Sequence, residues 1–119
     1  MENKLTSLII KAAYDVHNEL GFGFLEKIYQ RALKLVLDEI GLESNLEQKV
    51  EVLFRNQYIG EYFADVIVSD EVVLELKAVK ELCPEHSAQL INYLKAGNYK
   101  TGLLINFGAP KLEFKRLYS

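Results

Sequence analysis

Apolar residues recur at helical spacing in two stretches near the N-terminus. The first runs from about residue 4 to residue 20 and stops at Gly21, and the second runs from about residue 24 to residue 40 and stops at Gly41. Apolar positions at i, i+3, i+4 and i+7 lie on one face of a helix, and glycine commonly ends helices. The pattern therefore predicts two consecutive amphipathic helices.

The next stretches have the shorter period of β-strands. Residues 46–54 alternate between apolar and polar side chains, and Arg55-Asn56-Gln57 predicts a turn into a second strand. Residues 62–78 hold two apolar runs separated by Ser69-Asp70-Glu71, which predicts a β-hairpin. The result is a three-stranded antiparallel meander. Its later strands are apolar on both faces, so we expect helices to cover both sides of the sheet.

The C-terminal third predicts a helix and further strands. Pro84 suits the first turn of a helix that runs to about Ala96 and stops at Gly97, and residues 101–106 form a short buried strand. A strand, a helix and a strand in succession predict a crossover within one sheet. The tail predicts an edge strand with Leu112, Phe114 and Leu117 facing inward and with Lys115 and Arg116 facing outward.

Three charged residues interrupt the apolar runs of the hairpin: Asp65, Glu75 and Lys77. With a three-residue loop, Asp65 lies opposite Glu75 and on the same sheet face as Lys77. A two-residue loop would instead place the two carboxylates on opposite faces. The three-residue loop is favoured because it collects an apolar opposite face, composed of Tyr62, Ala64, Val66, Val68, Val72, Leu74, Leu76 and Ala78. Carboxylates about 5 Å apart repel each other unless a cation or a proton lies between them. The hairpin therefore fits either a divalent metal site or an exposed charge cluster.

Two helices carry further candidates. Glu26 shares a helix face with Tyr29, so it is either a functional acid or a first-turn residue that stays solvated near the helix N-terminus. His86, Gln89 and Tyr93 form a polar and aromatic stripe on the third helix. Such a stripe is commonly a solvated helix face, so spacing alone does not define it as a site.

Length and composition indicate one globular domain covering residues 1–119. Half of the 119 residues are hydrophobic and 26% are charged, which argues against disorder. The one cysteine excludes an internal disulfide, and no signal-like or membrane-spanning run is present, so we expect a cytoplasmic protein without a membrane partner. The net charge of −3 argues against a protein that coats nucleic acid through a basic surface.

Three motifs in order resemble one group of proteins. Gly23-Phe24-Leu25-Glu26-Lys27-Ile28-Tyr29 resembles the G-x-x-E-x-x-Y signature of a family of small bacterial and archaeal proteins. Asp65 followed by Glu75-Leu76-Lys77 resembles the D…E-x-K core of the PD-(D/E)XK nuclease superfamily, although Ala64 replaces the proline of its name. Gln89 and Tyr93 match the Q-x-x-x-Y helix of RecB-like exonucleases.

The resemblance implies a fold and a chemistry. The fold is an α/β (α+β) restriction-endonuclease-like core, an αβββαβ mixed sheet flanked by helices, with an extra N-terminal helix. The resemblance also implies that Asp65, Glu75 and the backbone carbonyl of Leu76 bind Mg²⁺ or Mn²⁺, with Glu26 reaching the ion directly or through water. Lys77 would orient or help deprotonate the attacking water. The candidates for substrate binding or positioning are Gln89, Tyr93, Tyr29 and His86.

The implied activity is metal-dependent hydrolysis of nucleic acid, with DNA favoured over RNA. The alternative is a nuclease-fold binding or accessory module that acts only with a protein partner or is not catalytic. The small size and acidic charge favour this alternative, because little surface remains to grip a duplex. A homodimer would enlarge that surface.

Overall fold

A computed structural model describes residues 4–119 of the protein as three helices and five strands. Among these residues, no helix combines the length and the apolar character needed to cross a membrane. The elements in chain order are α1 (Lys4–Leu20), α2 (Glu26–Glu39), β1 (Ser44–Phe54), β2 (Gln57–Val68), β3 (Val72–Lys77), α3 (Pro84–Gly97), β4 (Thr101–Asn106) and β5 (Glu113–Tyr118).

The five strands form one mixed sheet in the order β1-β2-β3-β4-β5. Strands β3 and β4 are parallel and are connected through α3, whereas the other neighbouring pairs are antiparallel. Helices α1 and α2 pack on one face of the sheet over a shared apolar core. Helix α3 packs on the other face over a second apolar core. This architecture confirms the predicted α+β class, the meander, the crossover and the helices on both faces.

The β2–β3 hairpin has the register that the site hypothesis needs. Val68 pairs with Val72, Ile67 with Val73 and Val66 with Leu74, so the loop contains three residues. Its first two residues, Ser69 and Asp70, have left-handed backbone angles with φ of 53°. Extending this register by one residue places Asp65 opposite Glu75, immediately beyond the last paired positions.

The predicted apolar face of β2 is wrong at its N-terminal end. Val66 and Val68 pack under α1 and α2 as expected, but Ala64 and Tyr62 belong to the core under α3. The change occurs at Asp65 and at the facing Glu47 of β1, neither of which has a paired ladder position. Glu47 has a left-handed φ of 54°, which interrupts the alternation of side chains in β1. Strict alternation therefore fails at the residue that carries the candidate carboxylate.

The C-terminal edge strand forms, but two of its side chains differ from the prediction. Leu117 packs with the core under α3, whereas Phe114 contacts the core under α1 and α2. Arg116, predicted to face outward, is half-buried, and its Nε donates to Thr6 Oγ1 at 3.1 Å. Alternation places Arg116 on the same face as Phe114, and α1 covers that face.

Candidate metal-dependent active site

Asp65 lies at the point where β2 and β3 stop pairing. Its Oδ2 accepts a hydrogen bond from the backbone N–H of Leu76 at 2.8 Å, so the side chain replaces the next bond of the β-ladder. Burial raises the pKa of Asp65, and the Leu76 hydrogen bond opposes this effect. The carboxylate is thus fixed in position but still faces a local excess of negative charge, to which Glu26 and Glu47 contribute.

Glu75 is the strongly perturbed acid of the site. Burial, followed by the charge of Asp65, raises its pKa to about 8, although Lys77 acts in the opposite direction. Its Oε1 is buried and has no hydrogen-bond partner among residues 4–119. A buried carboxyl oxygen without a partner is unfavourable unless a proton or a cation satisfies it.

Lys77 follows Glu75 by two residues and is half-buried at the end of β3. Its positive charge lowers the pKa of both Asp65 and Glu75. The salt bridges within residues 4–119 do not include Lys77. Its ammonium group therefore acts on the two carboxylates without being locked to either of them.

Glu26 is the first residue of α2 and is exposed, as expected for a first-turn residue that stays solvated. It nevertheless lines a small cavity of about 60 Å³ beside Asp65 and Leu76. The helix N-terminus favours an anion at this position. Glu26 is thus directed toward the candidate site while it remains accessible to solvent.

Two residues of this cavity, Gln30 and Glu47, were not predicted from the sequence. The Gln30 amide nitrogen donates to Glu47 Oε2 at 2.7 Å and to the backbone carbonyl of Asp65 at 2.8 Å. Both partners are acceptors, so the amide uses both of its N–H groups. The bond from Gln30 is also the main reason why the pKa of Glu47 is lowered. The spacing of Gln30 from Glu26, one helical turn, was the available signal.

Tyr29 is fully buried, and its hydroxyl group bonds to the loop that precedes Glu26. It donates to the carbonyl of Gly21 at 2.6 Å and accepts from the N–H of Phe24 at 3.2 Å. Its ring stacks on Phe107 with 4.6 Å between centroids. These contacts make Tyr29 a residue that holds the start of α2 in place.

Tyr93 lies in the electric field of the two carboxylates. Burial raises the pKa of its phenol, and the charges of Glu75 and Asp65 raise it further. Its ring stacks on Tyr62 with 3.7 Å between centroids, and the Tyr62 hydroxyl donates to the carbonyl of Tyr93 at 2.8 Å. Tyr62 was not predicted as part of the site, because the hairpin pattern placed it on the opposite face.

The other members of the α3 stripe lie outside this arrangement. Gln89 is exposed and does not line the Asp65 cavity. His86 Nδ1 accepts from the backbone N–H of Cys83 at 3.2 Å and contacts its sulfur at 3.6 Å, so His86 caps the start of α3. The structure therefore brings Tyr93 toward the carboxylates and does not bring Gln89 or His86 into contact with them.

The donor set fits a hard divalent cation. Within residues 4–119, no group of three His, Cys, Asp or Glu side chains is arranged to hold a metal on its own. Asp65 and Glu75 can supply two carboxylates and Leu76 a backbone carbonyl, and such oxygen ligands suit Mg²⁺ and Mn²⁺. The buried Oε1 of Glu75 lacks any other partner among the described residues. The carboxylates in and around the cavity, from Glu26, Glu47, Asp65 and Glu75, outnumber the lysines Lys27 and Lys77.

The fold agrees with the comparison to known families. The model of the PD-(D/E)XK nuclease superfamily matches residues 3–117, and the chain belongs to this superfamily. Nucleases of this superfamily generally use divalent metal ions. The chain is also similar to the crystal structure of SSO0001, with a TM-score of 0.62, 15% identity, and coverage of 99% of this chain and 78% of that one. At this identity the likeness establishes the fold alone. No curated protein matches the chain significantly.

Proposed function

We propose that the protein hydrolyses phosphodiester bonds in nucleic acid, with DNA favoured over RNA, through a Mg²⁺- or Mn²⁺-dependent site at Asp65, Glu75 and Lys77. The observation that carries this proposal is the buried Oε1 of Glu75 beside Asp65, which has no hydrogen-bond partner among residues 4–119. In a superfamily of metal-dependent nucleases, a cation is the simplest way to satisfy that oxygen.

The carboxylates of Asp65 and Glu75 and the carbonyl of Leu76 would hold the ion, and Glu26 would bind it through water. When bound, the ion would supply Lewis-acid stabilisation of the phosphate and would lower the pKa of a coordinated water. Gln30 would keep Asp65 in place through its backbone carbonyl, because that bond is independent of the carboxylate.

Lys77 would orient the attacking water and stabilise negative charge on the phosphate as it develops. Its charge already acts on both carboxylates, and no salt bridge within residues 4–119 immobilises it. Tyr93 is a neutral hydrogen-bond donor near pH 7, as tyrosine ordinarily is, and burial and the charges of Glu75 and Asp65 raise its pKa further. Its phenol can therefore donate to a phosphate oxygen. Gln89, on the exposed side of α3, would contact the strand further from the metal.

We also propose that residues 1–119 form one domain and that the protein is cytoplasmic. It would work as a homodimer or with a protein partner. The support for an assembly is the small size and the net charge of −3, which leave one copy with little surface to hold a duplex. A homodimer would double the surface available to the substrate.

A metal titration combined with a nuclease assay tests the proposal. Mn²⁺ binding is measured by calorimetry, and cleavage is measured on single-stranded, duplex and branched DNA and on matched RNA, with and without chelator. We expect wild type to bind Mn²⁺ and to cut DNA only when the metal is present. Asp65→Ala should lose both Mn²⁺ binding and DNA cleavage. Metal binding without cleavage of any substrate would favour the accessory-module alternative, and cleavage in chelator would contradict the metal site.

A further inference from the structure

An open groove of about 410 Å³ continues from the candidate site along the start of α2. Gly23, Phe24 and Leu25 line it, as do Ala78 and Gly108, which follow β3 and β4. Glu26 and Lys27 line both the groove and the Asp65 cavity. The groove is therefore the space into which a chain bound at the carboxylates would extend.

The loop before α2 gives the groove an apolar and exposed wall. Phe24 and Leu25, which line the groove, are 47% and 77% exposed, and the preceding Phe22 is 58% exposed. Large apolar side chains that cluster at the surface commonly mark a binding site. Here the cluster lies at the mouth of the groove, where a solvated loop would ordinarily carry polar residues.

The Phe24 ring is held in a defined position although it is exposed. The backbone N–H of Phe24 donates to the Tyr29 hydroxyl at 3.2 Å, and the two rings make an edge-to-face contact with 6.1 Å between centroids. Tyr29 is itself fixed by full burial and by its bond to Gly21. An aromatic ring held in this way is ready to stack on a flat ligand with little loss of conformational entropy.

The chemistry of the groove distinguishes its possible occupants. A nucleotide next to a phosphate at Asp65 and Glu75 would lie in the adjoining space. Lys27 lies at that junction, where its Nζ pairs with Glu47 Oε2 at 3.2 Å. A base within a duplex has both faces covered by its neighbours, whereas an unpaired base exposes a face to an aromatic ring. An apolar protein segment could also cover Phe24, but it would have no reason to follow the path from the carboxylates.

We propose that this groove binds an unpaired nucleotide next to the scissile phosphate, with its base stacked on Phe24. This inference rests on the proposed nuclease function and specifies its substrate class. The preferred substrate is then single-stranded DNA or an unpaired end, and the interior of an intact duplex is disfavoured. Tyr29 acts as the positioning residue for this stack.

The test uses short single-stranded oligonucleotides in which every linkage except one is blocked by methylphosphonate substitution. The base on the 5′ or the 3′ side of the cleavable phosphate is either present or replaced by an abasic unit. We measure kcat/KM in Mn²⁺ for wild type, Phe24→Ala and Phe24→Trp. Leu35→Ala is the matched control, because Leu35 is an apolar residue of α2 that is 65% exposed and does not line the groove.

We expect removal of the base on one side to lower kcat/KM for wild type and Phe24→Trp by about tenfold or more, the size of one base–aromatic stack. In Phe24→Ala the same base removal should have little further effect, and Leu35→Ala should behave as wild type. A blunt duplex should be cut more slowly than a single strand by wild type, with a smaller difference for Phe24→Ala.

If base removal has the same effect in wild type and Phe24→Ala, the stacking proposal is wrong although the nuclease function stands, and the apolar patch then serves another ligand, such as a protein. If wild type cuts none of the unmodified DNA or RNA substrates with metal present, the nuclease function fails, and this proposal fails with it.

Discussion

At the scale of single residues, Glu75 makes the stability of the metal-free protein dependent on pH. Its pKa is raised to about 8 in the folded state, so the unfolded chain releases this proton at a lower pH than the folded chain does. The facing charges are those of Asp65, Glu26 and Glu47, which raise this pKa, and that of Lys77, which lowers it. The stabilisation that comes from the protonated group is present below about pH 4.5 and is lost as the pH rises toward about 8.

We therefore expect the free energy of unfolding of the metal-free protein to fall by roughly 2 to 4 kcal/mol from about pH 5 to about pH 8. Glu75→Gln should remove most of this decline, because the amide is neutral at every pH. Urea unfolding in chelator across this range measures both curves. Parallel curves for wild type and Glu75→Gln would contradict the assignment.

A second prediction concerns Gln30, which joins Glu47 to the backbone of Asp65. Gln30→Ala should weaken Mn²⁺ binding by about tenfold, the usual size of a lost contact behind a metal ligand. Calorimetry well below the melting temperature measures this change separately from any loss of stability. Arg31→Ala, at the next and exposed position of α2, is the control. An affinity for Gln30→Ala within twofold of wild type would exclude a positioning role.

The sequence predicts the charged residues of the site better than the residues that hold them in position. Asp65, Glu75 and Lys77 stand out because charges are unusual inside apolar strands. Gln30 has the form of an ordinary helix residue, and Glu47 reaches the cavity only because its backbone is left-handed, which no local pattern indicates. Sequence patterns thus identify residues with unusual chemistry more readily than residues that depend on a particular backbone angle.

At the scale of secondary-structure elements, Asn106 at the end of β4 fixes the segment that follows β3. Its Oδ1 accepts from the N–H groups of Val79 and Gly108, both at 3.0 Å, and its Nδ2 donates to the carbonyl of Val79 at 3.0 Å and to Glu113 Oε1 at 2.8 Å. The Asn106 side chain is fully buried and its partners are partly buried, so water can replace the lost hydrogen bonds only in part.

Asn106→Ala should accordingly lower the free energy of unfolding by about 2 to 4 kcal/mol, because several partly buried polar groups lose their partner. Asn92→Ala, at an exposed position of α3, should cause no comparable loss. Urea unfolding at neutral pH compares both variants with wild type. A change below about 0.5 kcal/mol for Asn106→Ala would show that this segment does not depend on the Asn106 side chain.

The elements themselves follow closely from the sequence pattern. The bounds of α1 and β4 agree with the periodicity, and the three-residue loop of the hairpin follows from requiring one apolar face. That same requirement misplaced Tyr62 and Ala64, because it assumes unbroken alternation through Asp65. A prediction from strict alternation of side chains fails where the backbone of a strand is irregular, as it is at this candidate site.

At the scale of the whole molecule, the proposed homodimer has a candidate contact in the β1–β2 hairpin. Four large apolar residues near its turn are more than half exposed, namely Leu53, Phe54, Tyr58 and Ile59. We expect light scattering to give the mass of a dimer for wild type and of a monomer for Ile59→Asp, with Asn56→Asp in the adjacent turn as the control. A monomer mass for wild type at all accessible concentrations would contradict the homodimer.

The most direct test of the nuclease centre is the single-turnover rate of DNA cleavage by wild type and Lys77→Ala at saturating Mn²⁺. Lys80→Ala is the matched control, because Lys80 lies in the segment after β3 and is exposed. We predict that Lys77→Ala binds Mn²⁺ and DNA but cleaves at least about 100-fold more slowly, since Lys77 acts on the reacting groups. Cleavage by Lys77→Ala at the wild-type rate would contradict the central claim.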